Sequence, residues 1–261
     1  METQNTIALP DLESMAASGV HLGTLRSRSN PKMKPYIWAV KNSFQVIDLE
    51  KSRDNLKIAL EFLVGVRKKG GIILFVGTGV AAKETPKKLA EELGAPYVAE
   101  RWLGGTITNF STISRQVNQL KDLESQKASG GFEKYTKYET LKLEEKMGKL
   151  RKEFGGLTGM SRLPDAVWVA SANYDKIAVA EANKKNIPIA GLVNTNSDPT
   201  LFDYPVPAND TALSSVNFLI NLVRDAIINV KPAAPEPAEG KPETAKPEAA
   251  GKKNNDKNRR P

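Results

Sequence analysis

Residues 72–94 read IILFVGTGVAAKETPKKLAEELG, and this stretch decides the fold. Ile72–Gly77 is an apolar run with no polar alternation, which suits a strand covered on both faces. A glycine turn follows, then a helical pattern from Val80 to Leu93. It stops at Gly94, a residue suited to the position after a helix end. Strand, tight turn and helix make half of a βαβ unit. The same rhythm continues outward. Gln45–Leu49 is a candidate strand, and Leu56, Leu60, Leu63 and Val66 mark a helical face within Asp48–Lys69. Pro96–Glu100, Ala166–Ala170 and Ile187–Val193 read as strands, with helices at Asp175–Lys185 and Asp210–Val230. Strands alternating with helices predict an α/β fold with a parallel sheet. On this reading Ile72–Gly77 is the second strand of that sheet.

One segment breaks the rhythm. Ser111–Phe154 carries no strand signal. Ile113, Val117 and Leu120 form one narrow apolar stripe, and Leu143, Met147, Leu150 and Phe154 form another. Gly130 and Gly131 interrupt the first helix, and Thr136 with Glu139 has the form of a capping box that starts the second. The expectation is an inserted helical hairpin, an antiparallel coiled coil whose core is local. The chain then divides into an α/β domain at 1–110 and 155–231, the hairpin at 111–154, and a tail at 232–261. The tail has six prolines and too little apolar area to offset its ordering entropy, so it reads as disordered.

The 261 residues carry a net charge of +8. The last thirty residues hold seven Lys or Arg and five Asp or Glu, so most of the positive balance belongs to the folded part. That favours polyanionic partners over acidic small substrates. The absence of cysteine excludes disulfides and thiolate chemistry. The first residues show no signal-peptide pattern, and the longest apolar run is too short to span a bilayer, which reads as soluble and cytoplasmic.

The strongest binding signal is Arg26–Lys41, RSRSNPKMKPYIWAVK, with five basic residues and no acid. Arg26, Arg28, Lys32, Lys34 and Lys41 supply charge, and Tyr36 and Trp38 lie among them. Pro31 and Pro35 bias the residues before them to extended geometry, so the segment reads as an irregular arm. Cations with aromatics suit folded RNA; a solvated loop is the plain alternative. Arg101-Trp102-Leu103-Gly104-Gly105 offers a phosphate contact and a stacking plane, or else a domain junction with Trp102 as a packing anchor. Arg115 is one of many charges on the hairpin, whose mixed faces suit either solvent or a partner.

Catalysis has weaker support. Gly77-Thr78-Gly79-Val80-Ala81-Ala82 matches a dinucleotide turn, with Glu100 near the position of a ribose-binding acid. Tight βα turns need glycine in any case, and no nucleophile–base pair is evident. His21, the single histidine, reads as structural or RNA-contacting. Asn194, Asn196, Ser197 and Asp198 form a polar cluster at a strand end, with one carboxylate among them. No cofactor and no metal are expected.

Several segments, in order, carry a resemblance: GVHLGT, NPKMKPYI, VIDLEKS, ILFVGT, RWLGGTITN, LPDAVWV, EANKKNIPIAGLVNTNSDP and VPANDTA. Together they resemble small-subunit ribosomal protein S-two of the bacterial or organellar kind, over about Leu9–Val230. The resemblance implies a flavodoxin-like doubly wound domain with a coiled-coil insertion and a structural, non-catalytic role. It also implies contacts with small-subunit rRNA and neighbouring ribosomal proteins, including the RNA-binding protein S-one. Three positions depart from the family pattern. Gly79 replaces a basic residue, Thr24 a second histidine and Asn194 an aspartate. The last two changes remove metal ligands that could have joined His21 and Asp198.

Overall fold

The computed structural model describes residues 9–230; the expected disordered tail lies outside them. In chain order the elements are α1 (Leu12–Ala17), β1 (Leu22–Leu25), β2 (Ile37–Lys41), β3 (Phe44–Ile47), α2 (Leu49–Lys68), β4 (Ile73–Val76), α3 (Glu84–Leu93) and β5 (Tyr97–Val98). There follow α4 (Phe110–Ala128), α5 (Lys137–Phe154), β6 (Ala166–Val169), α6 (Lys176–Lys184), β7 (Ile189–Val193), β8 (Tyr204–Pro207) and α7 (Leu213–Ile228). The strands make a five-stranded parallel sheet, β5-β4-β6-β7-β8, and a three-stranded antiparallel sheet, β1-β3-β2.

This partition corrects two expectations. The strand within Gln45–Leu49 exists as β3, but it belongs to the small antiparallel sheet. β4 is therefore the first strand of the parallel sheet, not the second. Counted within that sheet the order is 2-1-3-4-5, which reverses between β4 and β6 and places a crevice there. The basic run is also not irregular. It forms 3₁₀ turns at Arg26–Arg28 and Pro31–Tyr36 and then strand β2. The prolines are compatible because Pro31 opens a turn whose first free N–H, that of Lys32, is capped by the Asn30 side chain at 3.0 Å. β2 returns into β3 through Asn42 and Ser43, both at positive φ (50° and 67°), the geometry of a two-residue hairpin turn.

Every residue of β4, β6 and β7 is buried, because both faces of the sheet are covered. One face packs Phe75, Trp168 and Leu192 against α1, α2, α3 and α7. The other packs Leu74, Val76, Val167 and Val169 against α6 and the region of α4 and α5. Gly94 closes α3 at φ 62°, as its sequence position predicts. β8 escaped the sequence reading because Pro205 and Pro207 disguise it. Prolines are tolerated there because β8 is an edge strand with a single neighbour.

α4 and α5 are antiparallel: Arg151 pairs with Glu124 at 2.6 Å and Lys127 with Glu144 at 2.7 Å. The capping box of Thr136 and Glu139 is present. Ile113, Val117, Leu120, Met147, Leu150 and Phe154 are buried, and Leu143 is partly so. These side chains belong to one apolar cluster with Val98, Trp102, Leu74 and Val76. The expectation of a purely local hairpin core is thereby corrected. The connection runs through Phe154 and Leu157, and Gly156 lies too close to the Tyr97 backbone to carry a Cβ.

Candidate nucleic-acid interface

The basic segment is held by named contacts. Met33, between Lys32 and Lys34, is fully buried in the cluster on the second face of the sheet. The N–H of Asn30 donates to the Thr195 carbonyl at 2.8 Å, and that of Asp48 to the Tyr36 carbonyl at 2.9 Å. Lys51 Nζ donates to the Pro35 carbonyl at 2.6 Å. Lys32 Nζ meets Asp198 at 2.6 Å and Thr200 Oγ1 at 3.0 Å. Burial opposes the charge on Asp198, but the bonds from Lys32 and Thr200 outweigh it and hold the carboxyl below its ordinary value. Lys32 is thus a tether with a counter-ion. Among the described residues, Arg26, Arg28, Lys34 and Lys41 form no salt bridge, and all four are exposed.

Tyr36 is partly buried and packs against the core cluster, whereas Trp38 is 75% exposed. Arg26, Lys34 and Trp38 line one open groove. Arg101 is exposed but lines a different groove, with Lys87, Arg151 and Lys152 and with the acids Glu100, Glu124 and Glu153. Arg115 lies on α4 and is exposed. The structure therefore gathers part of the predicted set and distributes the rest.

Trp102 corrects the stacking-plane reading. Its ring is 7% exposed and Nε1 donates to Glu181 at 3.2 Å, so it is a packing anchor. Glu181, on α6, was missed by sequence reading. Its carboxylate also accepts from the N–H groups of Gly105 (2.7 Å), Ile107 (3.0 Å) and Thr108 (3.0 Å) and from Thr108 Oγ1 (3.1 Å). Desolvation works against its charge, but these donors prevail and its pKa lies below the ordinary value. RWLGGTITN is a loop wrapped around one carboxylate.

The glycine turn at the crevice is occupied by protein. Thr78 donates through Oγ1 (2.7 Å) and its N–H (3.4 Å) to Asp175, and Gly79 lies against the Tyr174 ring. A Cβ on Gly77 would strike the Ala82 carbonyl, so packing explains this glycine. Glu100 pairs with Lys83 at 2.8 Å. In the polar cluster, Asn194 and Ser171 donate to buried Asp210 at 2.7 and 2.5 Å, while Asp198 turns toward Lys32. His21 Nδ1 is buried with no partner among protein atoms. Among the described residues no three His, Cys, Asp or Glu side chains gather as a metal site.

Burial raises the Asp175 carboxyl from 3.8 to about 6, against the Thr78 bonds and with some help from the Asp210 charge. The native state thus keeps a proton up to about 6 that the unfolded state releases near 3.8. Asp175 therefore contributes a loss of stability as pH rises through that window. The expected result is a carboxyl ¹³C titration of Asp175 with a midpoint near 6; a midpoint at the ordinary 3.8 refutes it. Asp175→Asn should remove this component from the stability–pH curve.

The fold and these surfaces define an α/β protein with a five-stranded parallel sheet, a small antiparallel sheet preceded by basic turns, and a helical pair, in which Asp175 takes the hydrogen bonds of Thr78 at the glycine turn. The model of the family described as ribosomal protein S2 matches residues 15–230. The chain is 43% identical over 226 residues to the small ribosomal subunit protein uS2 of Roseiflexus sp. (strain RS-1), covering 87% of this chain and 86% of that protein. It is 42% identical over 221 residues to the uS2 of Nocardia farcinica, covering 85% and 78%. The chain belongs to the ribosomal protein S2 family, whose members are structural ribosomal proteins and not enzymes.

Proposed function

We propose that this chain is a structural constituent of the small ribosomal subunit that binds small-subunit rRNA through the Arg26–Lys41 segment. The observation that carries the reading is the β2–β3 hairpin and its preceding turns. They expose Arg26, Arg28 and Lys34 on the turns and Trp38 and Lys41 on the edge strand β2, with no acid in the segment. Exposed, uncompensated cations release counterions when they meet phosphates. Arg101 and Arg115 add charge elsewhere on the surface. The dinucleotide alternative loses its support, because Asp175 already occupies the donors of the turn. No helix among the described residues is long and apolar enough to cross a membrane. A cytoplasmic place on the ribosome follows from the family reading. The full chain should co-sediment with small subunits and leave them at high salt; failure to co-sediment at low salt overturns the proposal.

The flavodoxin-like core at 1–110 and 155–231 is the foundation in this reading. The antiparallel coiled coil at 111–154 is an inserted arm for neighbouring ribosomal proteins, protein S-one among the candidates. The continuous apolar cluster changes what a deletion should do. Replacing 121–147 by a short Gly/Ser linker keeps Ile113, Val117, Leu120, Leu150 and Phe154 on the base of the arm. That variant should unfold cooperatively and incorporate poorly into subunits. Replacing all of 111–154 uncovers Val98 and Trp102 and should lower the thermal midpoint much further. Equal midpoints for the two variants would show that the base contributes nothing to the core.

A further inference from the structure

We propose that the groove beside β2 binds a single unstacked nucleotide of RNA, its base on Trp38 and its backbone phosphates at Arg26 and Lys34. The inference rests on the RNA-binding reading and narrows it to one kind of RNA element.

The backbone explains why Trp38 is available. β2 is an edge strand of the three-stranded sheet, and its register with β3 shifts between Ile37 and Ala39. The extra residue at that shift is Trp38. A bulge bends the strand and re-aims the side chain it carries. The outcome is an indole 75% exposed, flanked by the exposed cations of the preceding turns. Tyr36, two residues earlier and outside the shift, is packed into the core cluster instead. An exposed indole on a rigid strand costs apolar hydration in the free protein, and a stacked base removes that cost.

Gln45 adds a polar group to the same groove. It is 5% exposed; Nε2 donates to Ser29 Oγ at 2.7 Å, and Oε1 has no partner among protein atoms. An unsatisfied buried amide oxygen is costly, and the exocyclic amine of a base would satisfy it after a small rotation of the amide. Arg26 and Lys34, with no counter-ion among the described residues, lie on the same groove. Aromatic face, amide edge and two cations match the three parts of an unpaired nucleotide. They do not match a duplex, whose bases are closed to stacking.

The protein supplies its own probe. Trp102 and Trp168 are 7% and 0% exposed, so iodide quenching of tryptophan emission reports on Trp38. The full chain is titrated with a short unstructured oligoribonucleotide and with the same strand annealed to its complement. The expected result is that the single strand protects Trp38 from iodide and binds roughly tenfold tighter than the duplex. Trp38→Ala should remove that preference with an unchanged far-ultraviolet dichroism spectrum, and Trp38→Phe should keep most of it. Gln45→Leu should weaken single-strand binding alone. Equal affinity for both RNAs with Trp38 unprotected overturns the nucleotide site and leaves the charge-based reading standing. Binding of neither RNA overturns both.

Discussion

Glu181→Ala is expected to be among the most destabilising single substitutions in this chain. The side chain is 8% exposed, and its two oxygens accept from three backbone N–H groups, one indole and one hydroxyl of the 102–108 loop. Removing it leaves buried donors without an acceptor, at about 3–5 kcal/mol for a broken buried charged network. Against a typical total of about 5–15 kcal/mol, that is a large fraction. For a domain of this size it corresponds to a fall in Tm of roughly 10 °C. Glu181→Gln should also cost, because an NH₂ group would face donors where an oxygen now accepts. The folded pKa lies below the ordinary 4.5, so the stabilisation is complete above that value. It is lost as pH falls through the folded pKa. Thermal melts and amide exchange at Gly105 and Ile107 measure both effects. An unchanged Tm in Glu181→Ala would mean that the loop does not depend on this carboxylate.

Glu181 also shows where sequence reading stopped. Within EANKK it looks like one more helix-surface charge, and nothing in periodicity marks it as buried. A buried position would have been visible only from the loop side: Gly104 and Gly105 bring backbone N–H groups close together, and such a nest needs an anion. The parallel strands β4, β6 and β7 were legible because they are buried on both faces and their composition says so. β1, β2 and β8 were not. β8 carries two prolines, and the small sheet is exposed on much of its surface, so Leu22, Trp38, Val40 and Phe44 show no apolar–polar alternation. The Asn42-Ser43 turn was the one local signal for β2 and β3, and it lacks the glycine that usually announces such a hairpin. Missing those strands also misnumbered the sheet. With β4 first in the sheet, the crevice lies beside Gly77, and there Asp175 takes the hydrogen bonds of Thr78.

The charges of the basic segment separate in the structure in a way that their spacing does not reveal. Five cations look equivalent between Arg26 and Lys41, yet Lys32 already has Asp198 at 2.6 Å. A cation that keeps its carboxylate partner releases little when a phosphate approaches. Replacing Arg26, Arg28, Lys34 and Lys41 together by Ala should therefore lower the slope of log affinity against log salt by roughly three, at about 0.7–0.9 for each phosphate no longer neutralised. At physiological salt the affinity for small-subunit rRNA should fall by about two to three orders of magnitude. Lys32→Ala alone should leave the slope nearly unchanged. It should instead loosen the segment from the 198–200 turn, and amide exchange at Lys32 and Thr200 would report that. The exposed positions of the quadruple variant predict an unaltered Tm, so a binding loss cannot be assigned to unfolding. An unchanged slope in that variant would remove this segment from the RNA interface. A slope change for Lys32→Ala as large as for Lys34→Ala would mean that the Lys32–Asp198 pair opens when RNA binds.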